Sequence, residues 1–108
     1  MSFVTQIRIG IRKRGDRGEY IGRACYGCPT SPLANPFHIG RDGSREVVIA
    51  RYETWLRERI SAGDRRPLGE LRRLLEIARR GPLTLVCWCA PAACHGEVGA
   101  RVLAELRR

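Results

Sequence analysis

The chain has almost no lysine, few aromatic residues and no long apolar run. Lys13 is the only lysine, and aromatic side chains make up 6% of the sequence. No apolar stretch approaches the roughly 18 residues that indicate a membrane-spanning helix, and residues 1–6 lack the basic-then-apolar pattern of a secretory signal. We therefore expect a cytoplasmic protein with no membrane partner, whose five cysteines are reduced or bound to metal.

Several well-marked functional motifs are also missing. The sequence contains no P-loop, no G-x-G-x-x-G, no H-E-x-x-H and no G-x-S-x-G. The odd number of cysteines and the absence of a secretion signal also argue against a framework of disulfides. Any chemistry must therefore be inferred from less familiar clusters of residues.

The composition indicates one basic globular domain. The chain has 108 residues, of which 44% are hydrophobic and 29% charged, and its net charge is +9. A basic protein attracts nucleic acids, phosphates or acidic partners. Because the basic residues other than Lys13 are all arginine, the charge could equally reflect a GC-rich genome and a solvated arginine face. Both interpretations stay open.

Hydrophobic periodicity predicts three strands and three helices. Apolar residues alternate in the first strand, run almost unbroken in the last strand, and recur every three or four residues in the helices. The second strand would close a hairpin if it pairs with the first. The predicted strands are residues 6–12, 19–24 and 83–88, and the predicted helices are residues 44–61, 68–79 and 94–107. We expect a small α/β fold in a single domain, residues 1–108.

An irregular segment, residues 25–43, separates the second strand from the first helix. Its prolines and glycines exclude a helix or a central strand, and its few apolar residues favour an ordered binding loop. Arg23 and Arg45 flank it. Arg45 lies at the start of a helix, where free N–H groups make a phosphate clamp plausible. His38 fits an exposed loop histidine better than a ligand.

Cysteines and a histidine cluster where the last strand turns into the last helix. Cys87 and Cys89 are two residues apart on a strand, so their side chains share a face. Cys94 and His95 fall at a helix N-terminus, where a thiolate is stabilised. Ligands of α/β sheets bind beyond the carboxyl ends of the strands, which places a thiol and an imidazole beside one crevice.

Three interpretations of this cluster compete. The first is a zinc site, because thiolates with one imidazole suit zinc, with Cys25 and Cys28 able to complete it. The second is a reactive thiol, Cys94 or Cys89, with His95 as its base. The third is a packed turn in which Cys87 is a core residue, since unpaired cysteines are among the most buried residues.

Several stretches together resemble one family, domain of unknown function 4326, small proteins of bacteria and tailed phages. The stretches are Y-I-G-R at residues 20–23, S-P-L-A-N-P-F at 31–37, G-S-R-E at 43–46, Tyr52, and C-W-C-A-P-A-A-C-H-G at 87–96. The resemblance covers nearly the whole chain, and the family has no assigned activity. It implies that the asparagine loop with Asn35, together with Arg45, Cys89, Cys94 and His95, belongs to one site.

Residues 25–28 fall where the family pattern is loose, which favours a site made from the second cysteine cluster alone. The sequence and the resemblance together give candidate roles. Cys94 and His95 are the catalytic candidates. Arg23, Asn35 and Arg45 are the ligand-binding candidates. The metal-ligand candidates are Cys87, Cys89, Cys94 and His95.

The leading hypothesis is a protein that binds a phosphate-bearing ligand, a nucleotide or a nucleic acid, at a thiol and imidazole site that holds zinc or acts on the ligand. The alternative is a nonenzymatic module that binds nucleic acid or another protein through its arginine surface. Such a module could be phage-encoded. In that case any metal is structural or absent.

Overall fold

A computed structural model of the chain describes residues 7–11, 17–23, 29–87 and 95–106. These residues form three strands and three helices, which confirms the predicted α/β class. The strands are β1 (Ile7–Ile11), β2 (Glu19–Tyr20) and β3 (Leu83–Cys87), and the helices are α1 (Arg45–Ser61), α2 (Arg65–Arg80) and α3 (His95–Leu106). None of the helices in this described part is long and apolar enough to cross a membrane.

The three strands form one parallel sheet in the order β1-β3-β2. Ile9 pairs with Leu85, and Tyr20 pairs with Val86. The expected hairpin is therefore wrong, because β3 lies between β1 and β2. Since all strands run the same way, their carboxyl ends meet at one edge of the sheet, the edge where α/β proteins bind ligands.

The hydrophobic core lies between one face of the sheet and the helices. Leu83, Leu85 and Cys87 point to that face because side chains alternate along a strand, and they join one buried cluster with residues of all three helices. Helix α1 contributes Tyr52 and Leu56 to it. The fold thus has two layers, with β3 at the centre of the sheet.

Capping residues set the starts of the first two helices. The Ser44 side chain accepts a hydrogen bond from the Val47 backbone N–H, and the Asp64 side chain accepts one from the Arg66 backbone N–H. Both satisfy N–H groups that have no partner within the helix. Helix α2 begins three residues earlier than the apolar pattern predicts, because Asp64 starts it and Pro67 is tolerated in the first turn.

Gly18 lies close to the face of β3 that points away from the core cluster. A Cβ atom on Gly18 would lie 2.5 Å from the Thr84 carbonyl oxygen and 2.9 Å from Val86 Cγ2. Gly18→Ala should therefore lower the free energy of unfolding by about 1–3 kcal/mol through overpacking. Gly69→Ala is the control, because nothing lies within 4 Å of its added Cβ, and it should raise stability by about 0.5–1 kcal/mol in the helix.

Urea denaturation of both variants measures the two effects. If Gly18→Ala is as stable as the native protein, the close contact between residue 18 and β3 does not exist in solution.

Candidate functional site

Residues 29–43, which we call the Asn35 loop, are fixed to α1 by buried polar contacts. The Tyr52 hydroxyl donates to the Leu33 carbonyl at 2.7 Å, and Asn35 Nδ2 donates to the Val48 carbonyl at 3.3 Å. Asn35 Oδ1 accepts from the Phe37 backbone N–H at 2.9 Å. The Asn35 side chain is only 8% exposed, so it holds the loop in shape.

Arg23 fixes the same loop from the side of the sheet. It follows β2, at the carboxyl edge, and its Nε donates to the Asn35 carbonyl at 3.0 Å. Its Nη2 donates to the Phe37 carbonyl at 2.6 Å, and its own carbonyl accepts from the Tyr20 hydroxyl. The loop therefore has its shape before any ligand binds, and Arg23, an exposed residue, lies along its edge.

A turn at the end of the loop neutralises one arginine. Asp42 accepts from the Arg41 guanidinium at 2.8 Å and from the His38 backbone N–H at 2.8 Å. The Arg41 hydrogen bond, followed by that of His38, lowers the pKa of Asp42 below its ordinary value. Asp42 is therefore ionised at neutral pH and offsets the charge of Arg41, so Arg41 adds little to the local positive potential.

A groove of about 550 Å³ lies between the Asn35 loop and the start of α2, and we call it the Arg23 groove. Its lining includes guanidinium groups, which are cationic hydrogen-bond donors, together with two hydroxyl groups and one indole. Its lining residues are Arg23, Thr30, Ser31, Pro32, Ala34, Asn35, Pro36, His38, Trp55, Asp64, Arg66 and Pro67. Its volume lies within the range of roughly 300–1,000 Å³ that is typical of small-ligand sites.

His95 is the first residue of α3 and is only 6% exposed. Its Nε2 lies 2.7 Å from the Ile21 carbonyl oxygen. Because a carbonyl oxygen can only accept, Nε2 is the protonated nitrogen in this contact. The Tyr52 ring meets the imidazole edge-on at 5.0 Å, so the orientation of His95 is fixed by two contacts.

In the tautomer with Nε2 protonated, Nδ1 is the ring nitrogen that carries a lone pair. Metal-ligating histidines usually donate their other ring N–H to a carbonyl or a carboxylate. The Ile21 contact has this form, and the same arrangement would also serve a general base.

Of the five cysteines, the structure describes only Cys87, so most of the cysteine predictions are not tested. Cys87 is 1% exposed and lies in the apolar core cluster, a position typical of a packed core thiol. Cys25, Cys28, Cys89 and Cys94 lie outside the described residues. The part of the chain that is described holds no group of three or more metal-ligating side chains, so the four-ligand set stays a prediction.

The structure brings some predicted ligand-binding residues together and not others. Arg23 and Asn35 meet at the edge of the Arg23 groove. Arg45 begins α1 but is not among the residues that line the groove, and neither is His95. The predicted phosphate clamp at Arg45 would therefore lie outside the Arg23 groove, and it stays a prediction.

Two lining residues were missed by sequence reasoning. The spacing of Trp55 fits the apolar stripe of α1, but its indole is only half-buried and faces the groove. The apolar pattern starts the second helix at residue 68, which leaves Arg66 in the connection before it. The cap formed by Asp64 was the available signal, because it moves the helix start to Arg65 and places Arg66 in its first turn.

The described residues define a small two-layer α/β domain with a ligand-sized groove beside the carboxyl edge of a parallel sheet. Residues 8–105 match the family described as "Domain of unknown function (DUF4326)", and the chain belongs to that family. The family membership expected from the sequence is thus confirmed. No similar protein was found among curated proteins, and none was found among solved structures.

Proposed function

We propose that the protein binds a phosphate-bearing ligand, a nucleotide or a nucleic acid, in the Arg23 groove. The observation that supports this most is the combination of Arg23, His38 and Arg66 with the indole of Trp55 in one cleft. Guanidinium groups recognise phosphate oxygens in a planar, bidentate geometry. An aromatic ring offers a stacking surface for a base.

The groove contains groups that suit both parts of a nucleotide, the phosphate and the base. Arg23 and His38 lie on the loop side, and Arg66 lies at the positive end of the α2 dipole, where anions are favoured. The Trp55 ring packs against Tyr52 at a centroid distance of 5.7 Å, which holds the indole in place. A pre-positioned ring loses little conformational entropy when a base stacks on it.

Zinc is the metal we propose for the cysteine and histidine cluster. His95 presents one ring nitrogen and donates the other N–H to Ile21, as ligating histidines do. Cys89 and Cys94 would supply thiolates, the ligands that zinc accepts together with imidazole. Cys87 is the weaker candidate because it packs in the core. Whether the cluster also acts on the bound ligand, through Cys94 and His95, belongs to the same proposal.

The alternative proposal is a nonenzymatic module in which any metal only supports the fold. In this case the fixed Asn35 loop and the arginine surface would bind a nucleic acid or a protein without acting on it chemically. Chelation separates the alternatives. Removing a structural metal should unfold the domain, whereas removing a catalytic metal should leave the circular dichroism spectrum nearly unchanged.

Arg66→Ala should weaken the binding of a nucleoside monophosphate about tenfold, in calorimetry at low salt. The expected loss is that of one charged hydrogen bond, about 1.5 kcal/mol. Arg72→Ala is the matched control, since Arg72 is an exposed arginine of the same helix outside the groove. Arg23→Ala is the poorer test because it also releases the loop.

Two results would contradict the proposal. One is the absence of measurable nucleotide binding to the native protein. The other is an equal loss in both variants, which would show a response to net charge and not to the groove.

A further inference from the structure

A second hollow lies on the outer side of α1, and we call it the Phe37 hollow. Its volume is about 440 Å³. Apolar groups and one guanidinium dominate it. The residues that line it are Phe37, Val47, Ala50, Arg51, Thr54, Trp55 and Glu58.

The Phe37 hollow continues the Arg23 groove around one side chain. Trp55 lines both depressions. The wall opposite α1 is also continuous, because Pro36 lines the groove and the next residue, Phe37, lines the hollow. An extended molecule could therefore pass from one depression to the other across Trp55.

The two depressions have similar chemistry. Each contains an aromatic ring and a guanidinium group: Trp55 and Arg66 line the groove, and Phe37 and Arg51 line the hollow. The Arg51 guanidinium carbon lies 5.6 Å from the centre of the Phe37 ring, within the range of a cation–π contact.

The charge of the combined surface is positive. Three arginines, Arg23, Arg51 and Arg66, line it against the two carboxylates of Glu58 and Asp64. Asp64 is partly committed elsewhere, since it caps α2 through the Arg66 N–H and lies 3.9 Å from Arg59. Repeated rings beside a positively charged track are the features by which proteins bind single-stranded nucleic acids without strong sequence preference.

We propose that the ligand is a single-stranded nucleic acid that crosses Trp55, with one base against Trp55 and a neighbouring base against the pair formed by Phe37 and Arg51. This inference rests on the proposed function, because it extends the phosphate-binding groove into a longer track. It differs from a mononucleotide site in requiring the Phe37 hollow. It differs from a duplex site because paired bases cannot turn their faces to the two rings.

The test is a length series of oligothymidylates, from the mononucleotide to the tetranucleotide, measured by calorimetry or by competition in fluorescence anisotropy. The tetranucleotide should bind at least tenfold tighter than the mononucleotide. Phe37→Leu keeps an apolar side chain but removes the ring, and Arg51→Ala removes the charge. Each should weaken the tetranucleotide three- to tenfold and leave the mononucleotide unchanged, whereas Arg72→Ala should change neither.

The outcomes separate the two proposals. If the mononucleotide binds and depends on Arg66, but affinity does not grow with length and Phe37→Leu has no effect, the single-strand inference is overturned and the groove remains. Equal binding of a blunt-ended duplex long enough to stay paired would also overturn it. If no nucleotide of any length binds, the proposed function itself fails.

Discussion

Tyr52→Ala is expected to lower the free energy of unfolding by about 3–5 kcal/mol, the cost of truncating a large buried aromatic side chain. Tyr52 is 0% exposed and lies in the core cluster. Its ring also supports two neighbours, the imidazole of His95 and the indole of Trp55. A domain of this size is stable by only about 5–15 kcal/mol, so the variant should be close to unfolding in urea or on heating.

Tyr52→Phe separates the hydroxyl from the ring. It keeps the packing but leaves the Leu33 carbonyl without its donor, which should cost about 1–3 kcal/mol. Hydrogen exchange should show the loss as faster exchange in the Asn35 loop. Equal stability of the alanine and phenylalanine variants would show that the ring contributes nothing, and the packing between α1, α3 and the loop would then be wrong.

His95→Phe should lower the free energy of unfolding by about 1–3 kcal/mol, because the buried Ile21 carbonyl loses its donor. The substituted ring can still pack against Tyr52. His95→Gln is the matched variant, since its amide N–H can donate to the same carbonyl. We therefore expect glutamine to recover most of the stability.

The same two variants test the metal proposal. Neither side chain has a ring nitrogen at Nδ1, so both should weaken zinc binding at least tenfold relative to the native protein. The native protein, purified anaerobically without a His-tag, should contain about one zinc per chain, with its thiols counted in parallel. If His95→Gln keeps native zinc content, His95 supports the fold and does not bind the metal. If the native protein holds no zinc, the zinc proposal is wrong.

The sequence predicted the helices well because their signals are local. Val48, Tyr52 and Leu56 repeat every four residues and are buried as the spacing requires. Strand β3 was equally clear, since its apolar run matches a central parallel strand. The helix starts were less accurate for α2, where a single capping residue outweighs the apolar pattern.

Strand pairing and the loop contacts could not be predicted in the same way. Strand β2 has two residues, too few for its side-chain pattern to specify a partner, and proximity along the chain favoured β1 wrongly. The bonds from Arg23 to the Asn35 and Phe37 carbonyls span 12 and 14 residues and involve backbone acceptors. Backbone carbonyls carry no sequence signal, so Arg23 and Asn35 were expected to face a ligand although their described contacts hold the loop.

The groove itself depends on tertiary packing. Its walls come from the Asn35 loop, α1 and the start of α2, which follow one another along the chain but line one groove only after they have packed together. The sequence pattern pointed to Arg23, Asn35 and His38, whereas the positions of Trp55 and Arg66 in the groove follow from tertiary packing.

The most direct test of ligand binding in the Arg23 groove is a nuclear magnetic resonance titration with thymidine monophosphate. Trp88 is the other tryptophan of the chain, so Trp88→Phe leaves the Trp55 indole N–H as a single resolved signal. We predict saturable shifts of that signal and of the Arg23 Nε–H. Shifts confined to the start of α1 around Arg45, or no shifts at all, would contradict a phosphate-binding groove at Arg23.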